Sequence, residues 1–265
     1  QQHEQKSAYR FQRFDCPPSD TLKREGLGTP VAYTGMSWSG FRPSDDACEY
    51  GYFIPANLFA AVMLERFSPV AEKLGHAELG ARARRLAAEI RRGIEKFGLV
   101  KTEEFGEIYA YETDGMGHYR LMDDANIPSL LSLPYLGICR ADDPLYQRTR
   151  AFVLSRQNPY YFEGSAAKGV GSPHTPENFV CPSAPCVQGL TAAEPKERAE
   201  LLHTLLTTHA DTARMHESFN KDDPSAFTRS WFAWANSMFG ELVMQMYEQG
   251  ELEDAVQHLL DKGIK

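Results

Sequence analysis

From position 54 onward the apolar residues Leu58, Phe59, Val62, Met63, Phe67 and Val70 recur at intervals of three and four, which predicts a helix over 54–73. Gly75 supplies its stop. Leu79, Ala83, Leu86, Ile90, Ile94 and Phe97 form a second stripe and predict a helix over 77–97. Its arginines (Arg82, Arg84, Arg85, Arg91, Arg92) interleave with Glu89 and Glu95, the pattern of a solvated face. Residues 100–111 alternate apolar and polar, as a short strand pair does, and residues 113–117 form a turn. A short helix is expected over 127–137, and further helices over 143–157, 187–193, 195–213, 226–248 and 252–262, which makes about eight. Pro195 stands where a first-turn proline fits.

Long polar stretches separate these helices. Three carry adjacent aspartates ahead of an apolar run: Asp45-Asp46, Asp123-Asp124 and Asp222-Asp223. The first stretch, residues 35–57, is the richest. It holds Trp38, Arg42, both aspartates and the glycines Gly35, Gly40 and Gly51, with no helical or strand period. Reactive groups on a loop held by a rigid scaffold mark a functional site. Asp at a loop–helix junction is also a common helix cap, and that reading is favoured for Asp222 and Asp223. Residues 158–186 form a long Gly- and Pro-rich loop, a kind that tends to carry function. The expected fold class is all-α: helical hairpins in a ring, short β-hairpins in the loops, and loops gathered at one end around an acidic, aromatic-lined funnel.

Composition narrows the chemistry. The 265 residues are 42% hydrophobic and 24% charged, enough for one sizeable globular core. A net charge of −8 argues against a nucleic-acid partner, which would require a basic surface. No apolar run approaches the roughly 20 residues of a membrane span. The polar start Gln1-Gln2-His3-Glu4 lacks Met and reads as the interior of a loop in a longer precursor. Five cysteines cannot form a closed disulfide set; Cys181 and Cys186 fit either a pair or two reduced thiols, and their spacing matches no standard zinc pattern. No Gly-x-Ser-x-Gly elbow and no His-x-x-x-His pair are present.

Carboxylates surrounded by Trp and Tyr suit glycoside hydrolysis, in which one carboxyl protonates the leaving oxygen and another attacks or activates water. Trp231 and Trp234, at helical spacing, fit a core position as well as a site. Four motifs sharpen this: Trp38-Ser39-Gly40-Phe41-Arg42-Pro43-Ser44-Asp45-Asp46-Ala47-Cys48; Leu121-Met122-Asp123-Asp124-Ala125-Asn126-Ile127-Pro128; Gly171-Ser172-Pro173-His174-Thr175-Pro176; and Met215-His216-Glu217-Ser218-Phe219 with Trp231-Phe232-Ala233-Trp234-Ala235-Asn236. Together they closely resemble glycoside hydrolase family 125, whose members are metal-independent, inverting exo-α-1,6-mannosidases on an (α/α)6 barrel. The resemblance implies an α-1,6-mannoside substrate, no cofactor and no metal. It puts the general acid at Asp45, with Asp46 the nearer alternative, and the general base at Glu217. It implies sugar contacts from Trp38, Arg42, Asp46, Asn126, Ser172, His174, Trp231 and Asn236.

Two features depart from the family pattern. Phe179-Val180-Cys181-Pro182-Ser183-Ala184-Pro185-Cys186 stands where bacterial members tend to carry aromatic residues. A ring of twelve helices also does not fit in 265 residues. The chain is therefore expected to be one catalytic domain lacking the N-terminal helices, about the C-terminal two-thirds of the barrel, with the upstream part associated as a fragment of the same precursor. The substrate type leans toward the secretory pathway. The rival classes are a calcium-dependent or other helical-barrel glycosidase and a non-catalytic carbohydrate-binding domain.

Overall fold

A computed structural model describes residues 10–261. The polar start at residues 1–9 and the last residue of the helix expected over 252–262 lie outside the described residues. The described chain is helix-rich with four small antiparallel sheets. A single left-handed turn, α1 (Lys23–Gly26), precedes the site loop. Strand β1 (Tyr52–Phe53) then runs straight into helix α2 (Ile54–Lys73), whose Pro55 sits in the first turn. Helix α3 (Ala77–Phe97) folds back along α2 and buries Ala83, Ala87, Ile90 and Ile94, at spacings of four, three and four.

Next come the hairpin β2 (Leu99–Thr102) and β3 (Gly106–Tyr109), as the alternating pattern predicts, then β4 (Glu112–Thr113) and β5 (Tyr119–Arg120). Strand β4 pairs with both β1 and β5, and so fastens the start of α2 to residues 112–120. Helix α4 (Pro144–Val153) is capped by Asp143, whose carboxylate accepts the N–H groups of Leu145 and Tyr146. The hairpin β6 (Tyr161–Glu163) and β7 (Lys168–Val170) lies within the long Gly- and Pro-rich stretch. Strand β8 (Phe179–Val180), helix α5 (Ser183–Leu190), helix α6 (Pro195–Thr207), strands β9 (Ser218–Asn220) and β10 (Phe227–Thr228), and helices α7 (Ala233–Glu248) and α8 (Leu252–Asp261) complete the order.

Helix α4 ends at Val153, short of the expected 157, and four further expected boundaries move for local reasons. Residues 131–137 are consecutive turns instead of a helix. The Asp123 carboxylate captures the N–H groups of Leu130 and Leu131 at their start. Helix α5 starts at Ser183, four residues early, because Pro185 falls in its first turn, where no N–H is needed. Helix α6 stops at Thr207; Ala210, Asp211 and Ala213 just beyond it have positive φ. Helix α7 begins at Ala233 because Phe227 and Thr228 pair with β9 instead.

The larger apolar cluster joins α5 and α7 to Tyr111, Met122, Leu130 and Leu131. A second joins α2 and α3 to Met36, Tyr52, Leu133 and Tyr146. Among the described residues no helix is long and apolar enough to cross a membrane.

Candidate active site

The loop of residues 35–51 is held from three sides. Asn57, on the first turns of α2, accepts the Ser37 N–H at 2.7 Å and donates to the carbonyls of Ser37 and Phe53. Gly93 of α3 lets the loop pass: a Cβ there would lie 2.6 Å from the Thr34 carbonyl. Arg42 Nε donates to Glu112 Oε1 at 2.6 Å, and both side chains are buried. The other Glu112 oxygen accepts the N–H groups of Glu49 and Tyr50. One carboxylate thus ties both limbs of the loop to β4. Trp38 is enclosed by the loop's glycines; a Cβ on Gly51 would sit 2.2 Å from its Nε1.

Between the limbs the chain makes a tight turn. The Asp45 N–H donates to the Arg42 carbonyl at 3.1 Å, and the Arg42 N–H donates to the Asp46 carbonyl at 2.8 Å. This leaves Asp45 exposed at the apex with φ +72°, a conformation Asp tolerates better than most residues. Asp46 points the other way. It is buried and accepts from Ser44 Oγ at 2.7 Å, and its Oδ2 lies 3.7 Å from His174 Nδ1.

Asp45 opens onto a concave pocket. Ser44, Asn126, His174, Thr175, Cys181 and Ser183 line it, with Glu217, Arg229, Phe232 and Trp234. Glu217 directly precedes β9, and its N–H donates to the Arg229 carbonyl across the hairpin. Its Oε1 lies 3.3 Å from Arg229 Nε. The Arg229 guanidinium also sits 5.7 Å from the centre of the Phe232 ring.

Beneath the pocket lies Asp124, fully buried. Its Oδ1 accepts from the Asn126 N–H and Nδ2, and its Oδ2 accepts from Ser172 Oγ at 3.2 Å. Burial pushes this carboxyl above the usual Asp range, and the donors from Asn126, Ser44 and Ser172 pull it back. Burial likewise pushes the Cys181 thiol far up, which leaves it a neutral apolar wall. Cys181 and Cys186 are both buried free thiols. Asp20, Asp46 and His174 hold potential metal-ligating atoms within 4.8 Å of one another. Of these, Asp46 already has a donor in Ser44, and Asp20 has one in Ser19.

Of the residues singled out from sequence, Asp45, Asn126, His174 and Glu217 line one pocket. Asp46 and Ser172 stand just behind it, bonded to its wall. Trp38, Arg42, Trp231 and Asn236 do not line it. Trp38 and Arg42 brace the loop from within, Arg42 through its buried ion pair with Glu112. Trp231 is 56% exposed, ahead of α7. Asn236 clamps backbone: Nδ2 donates to the carbonyls of Met215 and Phe232, and Oδ1 accepts the Met215 N–H. Sequence reasoning assigned no site role to Arg229, Phe232, Ser44 or the buried Asp124. Phe232, Ser44 and Asp124 carried a signal as members of the quoted motifs; Arg229 carried none.

The chain matches the family model of the metal-independent alpha-mannosidases (GH125) over residues 1–244, and it belongs to that family. It is 43% identical over 257 residues to the meiotically up-regulated gene 157 protein of Schizosaccharomyces pombe, covering 96% of this chain and 49% of that one. A solved Streptococcus pneumoniae structure from a family of metal-independent α-mannosidases, a non-productive complex with α-1,6-mannobiose, superposes with a TM-score of 0.89 at 44% identity. That match covers 91% of this chain and 57% of the bacterial one. The chain thus spans about half the length of these relatives.

Proposed function

We propose that this chain carries the reacting carboxyls of an inverting exo-α-1,6-mannosidase. The observation that carries the reading is the convergence of Asp45 and Glu217, from distant loops, on one pocket with Asn126 and His174. The mannobiose in the bacterial relative supports the substrate. Asp45, exposed at its turn apex, protonates the glycosidic oxygen of the departing sugar. Glu217 takes a proton from water as that water attacks the anomeric carbon from the opposite face. Arg229 fixes the Glu217 carboxylate through its 3.3 Å contact. Displacement at an α-mannoside with inversion releases β-mannose first. Room for the water calls for carboxyl groups about 6.5–9.5 Å apart.

The polar floor around Asn126, Ser172 and His174 supplies contacts to sugar hydroxyls, and Trp234 and Phe232 supply an apolar wall. The architecture we assign is the (α/α)6 barrel, of which this chain forms the part bearing the reacting carboxyls. Upstream helices complete the ring as an associated fragment. Glycan trimming in the secretory pathway is the setting this substrate suggests.

NMR of α-1,6-mannobiose hydrolysis in EDTA tests the reading. Signals of β-mannose are expected first. Asp45→Asn and Glu217→Gln are each expected to lower kcat by about 10²-fold or more, with Tm unchanged. First-formed α-mannose, loss of turnover in EDTA, or near-normal activity in either variant would overturn it.

A further inference from the structure

We propose that Asp124, a residue that does not reach the pocket, is a positioning residue that fixes which end of the Asn126 amide faces the substrate. The inference rests on the glycosidase reading of the pocket and deepens it. Asp124 Oδ1 lies 2.7 Å from Asn126 Nδ2 and 2.9 Å from the Asn126 backbone nitrogen. That oxygen already accepts the Asn126 backbone N–H, so the end of the amide turned toward it must be the NH₂. Ser172 Oγ, 3.4 Å away, takes the second NH₂ direction and is itself held by donation to the other Asp124 oxygen. Both donors of the amide are thereby engaged below the pocket. Among the described residues no group donates to Asn126 Oδ1, and Asn126 lines the pocket. Asn126 therefore presents a fixed acceptor, which suits a sugar hydroxyl acting as donor.

A neutral amide in place of Asp124 would let the Asn126 side chain rotate, so that its NH₂ faced the pocket and its oxygen faced inward. The fixed orientation would be lost with little change in volume. The residue would thus act on the substrate through the Asn126 amide, and the two positions should be coupled.

The test measures α-1,6-mannobiose binding by calorimetry, and KM and kcat, on the full-length protein and on Asp124→Asn, Asn126→Ala and the double variant. Each single variant is expected to weaken mannobiose binding and raise KM about tenfold, the scale of one lost hydrogen bond to a buried group. The double variant is expected to be no worse than the weaker single, since removing the amide leaves Asp124 nothing to orient. Effects that multiply, or an Asp124→Asn protein with unchanged affinity, would overturn the proposal. Should Asp124→Asn fail to fold, Ser172→Ala removes the other partner of the same amide and is expected to give the same non-additivity with Asn126→Ala. Wild-type protein that binds mannobiose without cleaving it would reject the mannosidase reading and leave this coupling readable by calorimetry. Wild-type protein that does not bind it would overturn both.

Discussion

Asp123 and Asp124 are neighbours in sequence, and both are buried, yet they serve different partners. Asp124 faces the pocket floor, whereas Asp123 accepts the N–H groups of Leu130 and Leu131 and caps the turns that follow. Burial pushes the Asp123 carboxyl up to about 8. In the unfolded chain the same group titrates near 3.9. Between these values the folded protein keeps a proton that the unfolded chain has released, so stability from this group falls as pH rises. Asp123→Asn removes the titration at the loss of one hydrogen bond, about 1 kcal/mol. The variant is expected to be less stable than wild type near pH 5, with the gap closing or reversing by about pH 8. Tm measured for both proteins across that range gives the difference curve, and a flat curve would contradict the assignment. Residue type and motif marked the acidic pairs out in the sequence. They did not distinguish a carboxylate bonded beneath the pocket from a buried cap, because both uses favour Asp after a loop.

At the scale of elements, the site loop shows what a pattern of residues can and cannot announce. Its glycines and its Trp were visible as a group, and the family resemblance implied a sugar contact from the Trp. In the fold they solve a packing problem: Gly28, Gly40 and Gly51 give way to the Trp38 ring, which locks the loop above α2. Gly51→Ala would drive a Cβ into the indole. Overpacking of this kind is expected to cost about 1–3 kcal/mol, measured by chemical denaturation, together with a fall in activity as the Asp45 turn shifts. Unchanged stability would show that the indole can yield. Helices α2 and α3 and the hairpin β2–β3 were legible from periodicity, because local spacing alone decides them. The start of α7 was not, since Phe227 and Thr228 follow an apolar pattern compatible with helix and are claimed instead by pairing with Phe219 and Ser218. The partnership of Arg42 with Glu112 was equally hidden, because it joins segments separated by all of α2 and α3.

At the scale of the molecule, two helices carry more apolar surface than their neighbours cover. Helix α2 packs on α3 and yet exposes Phe67 and Val70, with Leu74 just beyond its end, at spacings of three and four. Helix α7 packs on α5 and exposes Trp234, Met244 and Tyr247. Along α7 runs a groove walled by Trp234, Met238 and Tyr135. A helix that is apolar around most of its circumference belongs in an interior, and exposed apolar patches of this extent mark contact surfaces. Since relatives carry about as much chain again beyond the matched part, the proposed occupant is the upstream helical segment of the same precursor. That segment would cover the exposed stripes of α2 and α7. Denaturing electrophoresis of folded, active protein checks this: a second band that copurifies with the 29.8 kDa chain is expected. Its removal should expose the α2 and α7 stripes and lower Tm. One longer band would keep the closing helices but reject their separation by cleavage. A single band near 30 kDa from a folded sample with full activity would show that the chain works with both stripes bare, and would sink the proposal.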